Sequence, residues 1–148
     1  CLRTVRHLYD HILIDSPPAL GILTVNAFTV SDYVLMPVLS DLYSLQGLIQ
    51  LSETLGEVRK KSNPNVQAAG ILLTRYNPRE RISTLIRETS EEIAQRLNIP
   101  LLDTTIRSSV ALTRAQILRE DITKYASKNK AADDYRRLVE ELILRGVL

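Results

Sequence analysis

The 148-residue chain is long enough to form one compact domain with a buried core. Its 45% hydrophobic and 24% charged residues are typical of a globular protein, and a net charge of +2 is too small to indicate nucleic-acid binding without local basic clusters. A single cysteine, Cys1, excludes an internal disulfide or a cysteine-rich zinc site and fits a reducing cytoplasm. No apolar run approaches the length of a transmembrane helix.

Four short apolar segments predict strands, and they alternate with helical patterns. The first three are almost continuously apolar, as expected of strands that are covered by helices on both sides. This alternation predicts an α/β fold with a mostly parallel sheet and helices on both faces. The predicted strands are residues 12–15, 33–38, 68–73 and 102–106.

Three helices are predicted between and after these strands. Ser44 is the expected N-cap of the first helix, which should end before Asn63 and Pro64. Ser83 is the expected N-cap of the second helix. The third carries an apolar stripe and two expected i,i+4 ion pairs, Asp133–Arg137 and Glu141–Arg145. The stripe consists of Ala131, Tyr135, Leu138, Val139 and Leu142.

The segment around Asp15 is the most informative motif. An apolar run ends at this aspartate, and Pro17 and Pro18 then prevent the chain from continuing as strand or helix. A buried strand that brings one aspartate to its carboxyl end is how nucleotide-hydrolysing α/β proteins hold Mg²⁺ near phosphates. The same pattern also occurs where an aspartate only caps a strand. These ten residues by themselves leave both interpretations open.

Further motifs follow in order along nearly the whole chain, and together with the Asp15 segment they resemble the ParA/MinD family of partition ATPases, most of all its ParA (Soj-like) branch. In that family the Asp-x-Pro-Pro element is the Walker B region. The other matching stretches are Tyr-Ser-Leu-Gln-Gly-Leu at 43–48, Gly-Ile-Leu-Leu-Thr-Arg-Tyr at 70–76, Val-Ala-Leu-Thr-Arg-Ala at 110–115, and residues 128–135.

A glycine-rich phosphate-binding loop is not found in the sequence. ATPases of this family need such a loop with lysines, because its backbone N–H groups cradle the phosphates. The five glycines match neither GxxxxGK[ST] nor Lys-Gly-Gly-x-Gly-Lys-Thr. We therefore expect residues 1–148 to be a single domain that is the C-terminal portion of a longer ATPase. We expect the intact protein to hydrolyse ATP and this chain alone to be inactive.

The resemblance implies ATP and Mg²⁺ as ligands of the intact protein. Asp15 would be the catalytic residue and would hold Mg²⁺, directly or through water. Thr74, Arg75 and the backbone around Ile106 and Arg107 would border the adenine, although the family's Pro-Arg-Asn is here Arg-Ser-Ser at 107–109. The implied nucleotide-binding residues are Asp15, Ser16, Pro17, Pro18, Thr74, Arg75, Ile106 and Arg107.

Arginines in two loop-and-helix segments form a second candidate surface. The charge pattern by itself favours the interpretation that these arginines only make helix faces hydrophilic, many of them near Glu80, Glu88 or Glu120. The resemblance instead implies a nucleotide-dependent homodimer whose basic rim binds DNA without sequence preference. Arg79 falls on a DNA-contacting position of the family, while a second such position is Ala111. The implied DNA-binding residues are Arg79, Arg81, Arg87 and Arg114.

The resemblance also implies cellular context. It indicates a role in plasmid or chromosome partitioning, a ParB-like centromere-binding partner, and a cytoplasmic, nucleoid-associated location without stable membrane association. Two alternatives remain open. One is a MinD-like, membrane-associated cell-division ATPase, which would need a basic amphipathic tail. The other is a non-enzymatic interaction module that naturally lacks the phosphate-binding loop.

Overall fold

The computed structural model describes residues 2–17 and 20–148 of the chain. Two single-turn 3₁₀ helices, Leu2–Thr4 and Arg6–Leu8, precede the main elements. These elements are α1 (Ile22–Val30), β1 (Tyr33–Leu39), α2 (Leu42–Lys61), β2 (Gln67–Thr74), α3 (Arg81–Leu97), α4 (Val110–Leu118), α5 (Ile122–Tyr125) and α6 (Lys130–Leu144).

The sheet is parallel, as predicted. β1 and β2 pair in a register that runs from Tyr33 opposite Gln67 to Leu39 opposite Thr74. Residues 101–106 follow the other edge of β2, but only through isolated parallel bridges at Leu101 and Ile106. The strands predicted at 33–38 and 68–73 are therefore confirmed, whereas the strand predicted at 102–106 is present only as an irregular extended segment.

Helices cover both faces of the sheet, which confirms the predicted α/β fold. One face buries Met36 of β1 and Leu73 of β2 in a core that also includes Leu48 of α2 and Ile86 of α3. The other face forms a smaller core around Leu102, with the following additional members from β2, the irregular segment and α6: Ala69, Leu72, Ile106, Leu138 and Leu142. Burial of apolar side chains on both sides explains why these strand sequences are almost continuously hydrophobic.

A bulge in β2 places Gly70 against the irregular segment. The register skips one residue of β2 between the Val34–Ala68 and Leu35–Gly70 pairs. Gly70 has φ of +150°, which side-chain-bearing residues rarely adopt. A Cβ at this position would lie 2.8 Å from Cδ2 of Leu102 and 3.0 Å from the carbonyl oxygen of Pro100. The glycine thus permits the close approach of the two chain segments.

The outer edge of β1 has no strand partner among the described residues. The Gln67 N–H donates to the Asp32 carbonyl, and the Ser40 N–H donates to the Thr74 carbonyl. The backbone N–H and C=O groups of the even-numbered residues of β1 therefore face β2. Because successive peptide groups of a strand point to opposite edges, Pro37, which has no N–H, lies with its nitrogen towards the outer edge.

The strand predicted at residues 12–15 is wrong for the described structure. These residues form no helix or strand, and Leu13 is 90% exposed. An extended apolar segment becomes a strand only when a neighbour completes its hydrogen-bond ladder, and none of the described residues does so. Apolar sequence made a strand possible here, but partner availability decided the outcome.

The predicted helix starts also need correction. Asp41, not Ser44, caps α2, since its carboxylate accepts a hydrogen bond from the Ser44 N–H at 2.8 Å. α3 begins at Arg81, and Ser83 is a buried residue inside its first turn. In α6, the expected Glu141–Arg145 ion pair is confirmed at 2.7 Å.

The predicted Asp133–Arg137 ion pair of α6 is wrong, because each of these two residues pairs with a different partner. Asp133 pairs with Arg136 at 2.6 Å, and Arg137 pairs with Asp134. Asp134 is oriented into the protein, so Arg137 can reach its carboxylate three residues away instead of Asp133 four residues away.

Candidate functional site

The carboxyl ends of β1, β2 and the irregular segment meet at one edge of the sheet. The backbone N–H and Oγ of Ser40, just after β1, both donate to the carbonyl of Thr74 at the end of β2, at 3.2 and 3.1 Å. Thr74 Oγ1 donates in turn to the Val38 carbonyl at 3.1 Å. On the other side of β2, Thr74 forms a parallel bridge with Ile106. Ligands of open parallel α/β sheets bind outside this edge, which we call the carboxyl edge.

Arg75 turns the chain at the carboxyl edge. Its φ of 53° is the left-handed conformation, which is uncommon for a residue other than glycine. The next residue, Tyr76, is buried and donates its N–H to the Ile106 carbonyl at 3.0 Å. The Arg75 side chain is exposed and forms no ion pair with the described residues. The edge therefore holds Thr74, Arg75 and Ile106 together and leaves the Arg75 guanidinium accessible; that these residues border an adenine stays a prediction.

Arg107 has a partner that the sequence did not predict. Its guanidinium donates from Nε and NH2 to the two carboxylate oxygens of Asp134, at 2.6 and 2.8 Å, and its backbone N–H donates to Oδ2 at 3.1 Å. Arg137 NH2 donates to the same carboxylate. Since α6 holds both the side chain and the N–H of Arg107, the group that Arg107 leaves to border a nucleotide is its backbone carbonyl.

Asp134 is charged although its side chain is only 1% exposed. Burial by itself raises the pKa of its carboxyl group, but hydrogen bonds from the Arg107 side chain and backbone and from Arg137 outweigh that effect and lower the pKa below its usual value. The hydrogen bond to Asp134 also raises the pKa of Arg107.

Glu141 makes a second link between α6 and the irregular segment. Its two carboxylate oxygens accept hydrogen bonds from the backbone N–H groups of Asp103 and Thr104, at 2.9 and 2.8 Å, and Arg145 pairs with it. Burial raises the pKa of Glu141, but these backbone hydrogen bonds lower it by more than burial raises it, so its pKa lies below the usual value. A sequence signal for Asp134 existed, because it lies on the apolar stripe between Ala131 and Leu138.

The structure places the Asp15 segment apart from this hydrogen-bond network. Asp15, Ser16 and Pro17 are exposed and lie in no helix or strand, and Pro18 is outside the described residues. No hydrogen bond or ion pair joins Asp15 to any residue in the described ranges. The assignment of Asp15 to Mg²⁺ thus stays a prediction.

The donor groups present are compatible with Mg²⁺ held by a single carboxylate. Across residues 2–17 and 20–148, no group of three or more acidic, histidine or cysteine residues could form a metal site. Mg²⁺ bound beside phosphates typically uses one or two carboxylates and completes its shell with water and phosphate oxygens. An exposed Asp15 is of the right chemical type for that role, whereas the sequence contains no phosphate-cradling loop.

The candidate DNA-binding arginines differ in their electrostatic partners. Glu80 is occupied by a hydrogen bond of 2.7 Å from Asn77 Nδ2. Arg79, Arg81 and Arg114 are exposed, and none forms an ion pair within the part of the chain that the structure describes. The fourth of these arginines pairs with a carboxylate of α3, through the Arg87–Glu91 contact at 3.0 Å. Three of the four guanidinium groups are thus accessible to an anionic partner.

Comparison with solved structures defines the class of fold. The chain superimposes on cobyrinic acid a,c-diamide synthase from Mycobacterium smegmatis with bound ADP and magnesium, with a TM-score of 0.75 and 27% sequence identity, over 96% of this chain and 50% of that one. A family model described as AAA domain matches residues 1–68. The chain therefore has an α/β fold related to that of nucleotide-binding proteins.

Sequence relatives identify the particular group. The chain is 34% identical to the chromosome partitioning protein ParA of Myxococcus xanthus over 97% of its length, and 34% identical to the sporulation initiation inhibitor protein Soj of Bacillus subtilis over 98%. It is 39% identical to the uncharacterized protein Rv1708 of Mycobacterium tuberculosis over 97% of its length. The predicted resemblance is confirmed, and the chain is a homologue of the ParA and Soj proteins.

The chain spans about half the length of these relatives: 50% of ParA, 56% of Soj and 44% of Rv1708. None of the helices that the structure describes combines the length and apolar character needed to cross a bilayer.

Proposed function

We propose that this chain is part of a ParA-like partition ATPase, which binds ATP with Mg²⁺, dimerises in the ATP-bound state and binds DNA without sequence preference. The observation that carries the proposal is the 34% identity to ParA and Soj along almost the whole chain. We further propose plasmid or chromosome partitioning, a ParB-like partner and a cytoplasmic, nucleoid-associated location.

The carboxyl edge supports the nucleotide-binding part of the proposal. Solved structures of cobyrinic acid a,c-diamide synthase from Mycobacterium smegmatis contain ADP or an ATP analogue with magnesium. In this chain, Thr74, Arg75 and the backbone at Ile106 and Arg107 lie where parallel α/β sheets bind ligands. Asp15 would approach the metal that accompanies the nucleotide.

The accessible arginines support the DNA-binding part. Arg79, Arg81 and Arg114 have no carboxylate partner among the described residues, so contact with a phosphate would not require breaking an ion pair. Arg87 would first have to leave Glu91. Binding through such contacts releases counterions from DNA and therefore weakens steeply as salt increases.

The nucleotide assignment is tested by Asp15→Ala in the full-length protein. We expect loss of Mg²⁺-dependent ATP hydrolysis. The circular dichroism spectrum should not change, because Asp15 is exposed and its replacement by alanine removes no packing contact. Asp10→Ala is the matched control, since it removes a carboxylate from the same exposed segment. Turnover of the Asp15 variant near that of the wild type would contradict the Walker B assignment.

Two other results would favour the alternatives. Failure of the full-length wild-type protein to bind ATP would favour an interaction module without enzymatic activity. Co-flotation of the ATP-bound protein with vesicles of anionic phospholipid, without DNA binding, would favour a MinD-like role.

A further inference from the structure

The irregular segment, extended here to Arg107, takes hydrogen-bond acceptors from both β2 and α6. Its Leu102 and Ile106 N–H groups bond to carbonyls of β2, at 2.9 Å each. The N–H groups of Asp103 and Thr104 bond to Glu141, and that of Arg107 bonds to Asp134. The two acidic residues are seven positions apart on α6 and therefore lie two turns apart on one side of it. These carboxylates supply acceptors for backbone N–H groups that no strand pairs where the sheet ends.

The loop that follows this segment is held at two points by α6 and its cap. Asp134 binds both the backbone and the side chain of Arg107. Two residues later, Ser109 Oγ donates to Oδ1 of Asn129 at 3.4 Å, and Asn129 is the N-cap of α6. Ser109 is itself the N-cap of α4, where its Oγ accepts from the Ala111 N–H at 3.2 Å. The loop 107–109 is thus fixed between the carboxyl edge and the start of α6.

Ser108 is the part of this loop that keeps its polar groups available. It is exposed, and neither its backbone nor its hydroxyl has a hydrogen-bond partner among the described residues. The neighbouring groups are already used: the Ile106 carbonyl accepts from Tyr76, and the Arg107 N–H donates to Asp134. A ligand at the carboxyl edge would therefore find the Ser108 backbone as an unoccupied donor and acceptor.

We propose that Asp134 is a positioning residue for the nucleotide base: by fixing Arg107, it holds the backbone of Ser108 where the base edge binds. The inference rests on the proposed ATP-binding function. The base edge of a nucleotide presents both donors and acceptors, which matches the free N–H and carbonyl of one backbone residue. The four hydrogen bonds to Asp134 give the loop a single arrangement before the ligand arrives, which reduces the ordering cost of binding.

The test compares Asp134→Asn with Glu141→Gln in the full-length protein. Asp134→Asn places an amide N–H₂ opposite two guanidinium groups and should release the loop. Since misplacing one hydrogen bond to the base costs about tenfold in affinity, we expect the Kd and KM for ATP to rise by about 10-fold. The kcat at saturating ATP should change little, and discrimination of ATP against GTP should fall by a similar factor.

Glu141→Gln is the matched control. It disturbs the same α6-to-segment contact and removes the same charge, but it acts at Asp103 and Thr104 instead of the loop. It should lower stability without changing the Kd for ATP.

The outcomes separate the two proposals. ATP binding by the wild-type protein tests the proposed function, and its absence would overturn both. If the wild type binds ATP and Asp134→Asn binds it equally well, or if both carboxylate variants weaken binding equally, the positioning role is wrong and the proposed function is unaffected. Should Asp134→Asn not fold, Asp134→Glu keeps the charge but shifts it by one methylene. A raised KM for ATP with unchanged kcat is then the expected result, and an unchanged KM refutes the role.

Discussion

Replacing Gly70 by alanine should destabilise the fold strongly, although the change adds only one methyl group. The new Cβ would lie 2.8 Å from Cδ2 and 3.0 Å from Cγ of Leu102, and 3.0 Å from the carbonyl oxygen of Pro100. Leu102 is fully buried. The Pro100 carbonyl cannot retreat easily, because it accepts the Ile71 N–H at 2.8 Å. Neither neighbour can move away without loss.

Two effects set the magnitude. A side-chain-bearing residue at φ of +150° costs about 1–3 kcal/mol in backbone strain. Overpacking by one methyl group against a buried leucine adds about 1–3 kcal/mol. Because the backbone can relieve both by one shift, we expect the free energy of unfolding to fall by about 2–5 kcal/mol.

Gly56→Ala is the control with the same chemical change. Gly56 lies within α2, and a Cβ there would meet nothing within 4 Å. Alanine is favoured over glycine in a helix interior by about 0.5–1 kcal/mol, so this variant should be more stable. Urea denaturation of the full-length protein, followed by circular dichroism, measures both changes. A loss of less than about 1 kcal/mol for Gly70→Ala, below both contributions worked out above, would show that the bulge does not need a glycine.

Two further predictions concern charge. The folded-state pKa values of Asp134 and Glu141 are lowered, so the stability that they contribute is present above the usual carboxyl pKa values of 3.8 and 4.5 and is lost as the pH falls through the lowered folded-state values. Asp134→Asn should therefore lose less stability than the wild type between neutral and acidic pH in urea titrations, and parallel curves would contradict this. In the ATP-bound full-length protein, Arg79→Ala combined with Arg114→Ala should weaken binding to random duplex DNA. The slope of log K against log[salt] should become shallower by about 0.9 per lost phosphate contact. ATP hydrolysis in the absence of DNA should not change. Arg87→Ala should alter the slope less because of the Glu91 ion pair, and an unchanged slope and affinity in the double variant would place DNA binding elsewhere.

The parallel sheet could be predicted from the sequence. Strands that are buried on both faces have continuous apolar sequences. The apolar runs of β1 and β2 can be recognised in the sequence alone. The grouping of Thr74 with Ile106 was implied by the family resemblance, and the structure joins the two residues by a parallel bridge. Local chemistry and the periodicity of the backbone are sufficient to predict β1 and β2.

The tertiary structure decided the partners of the charged groups. Arg107 and Asp134 are 27 residues apart, and Asp103 and Glu141 are 38 apart. Asp134 falls between the stripe residues Ala131 and Leu138, but the sequence could not show which donors would satisfy a buried carboxylate. That depends on how α6 packs against the irregular segment, because a hydrogen bond requires its two atoms to approach within about 3 Å.

The segment 12–15 shows the same limit for secondary structure. Its residues have the apolar character of a buried strand, yet Leu13 is 90% exposed. Gly70 shows the converse: the sequence presented it as part of a family motif, and the bulge explains why a side chain would not fit there. Sequence determines which conformations a segment favours. Strand pairing and close packing depend on neighbours that are distant in the chain, because each peptide group needs a hydrogen-bond partner and each buried surface needs atoms packed against it.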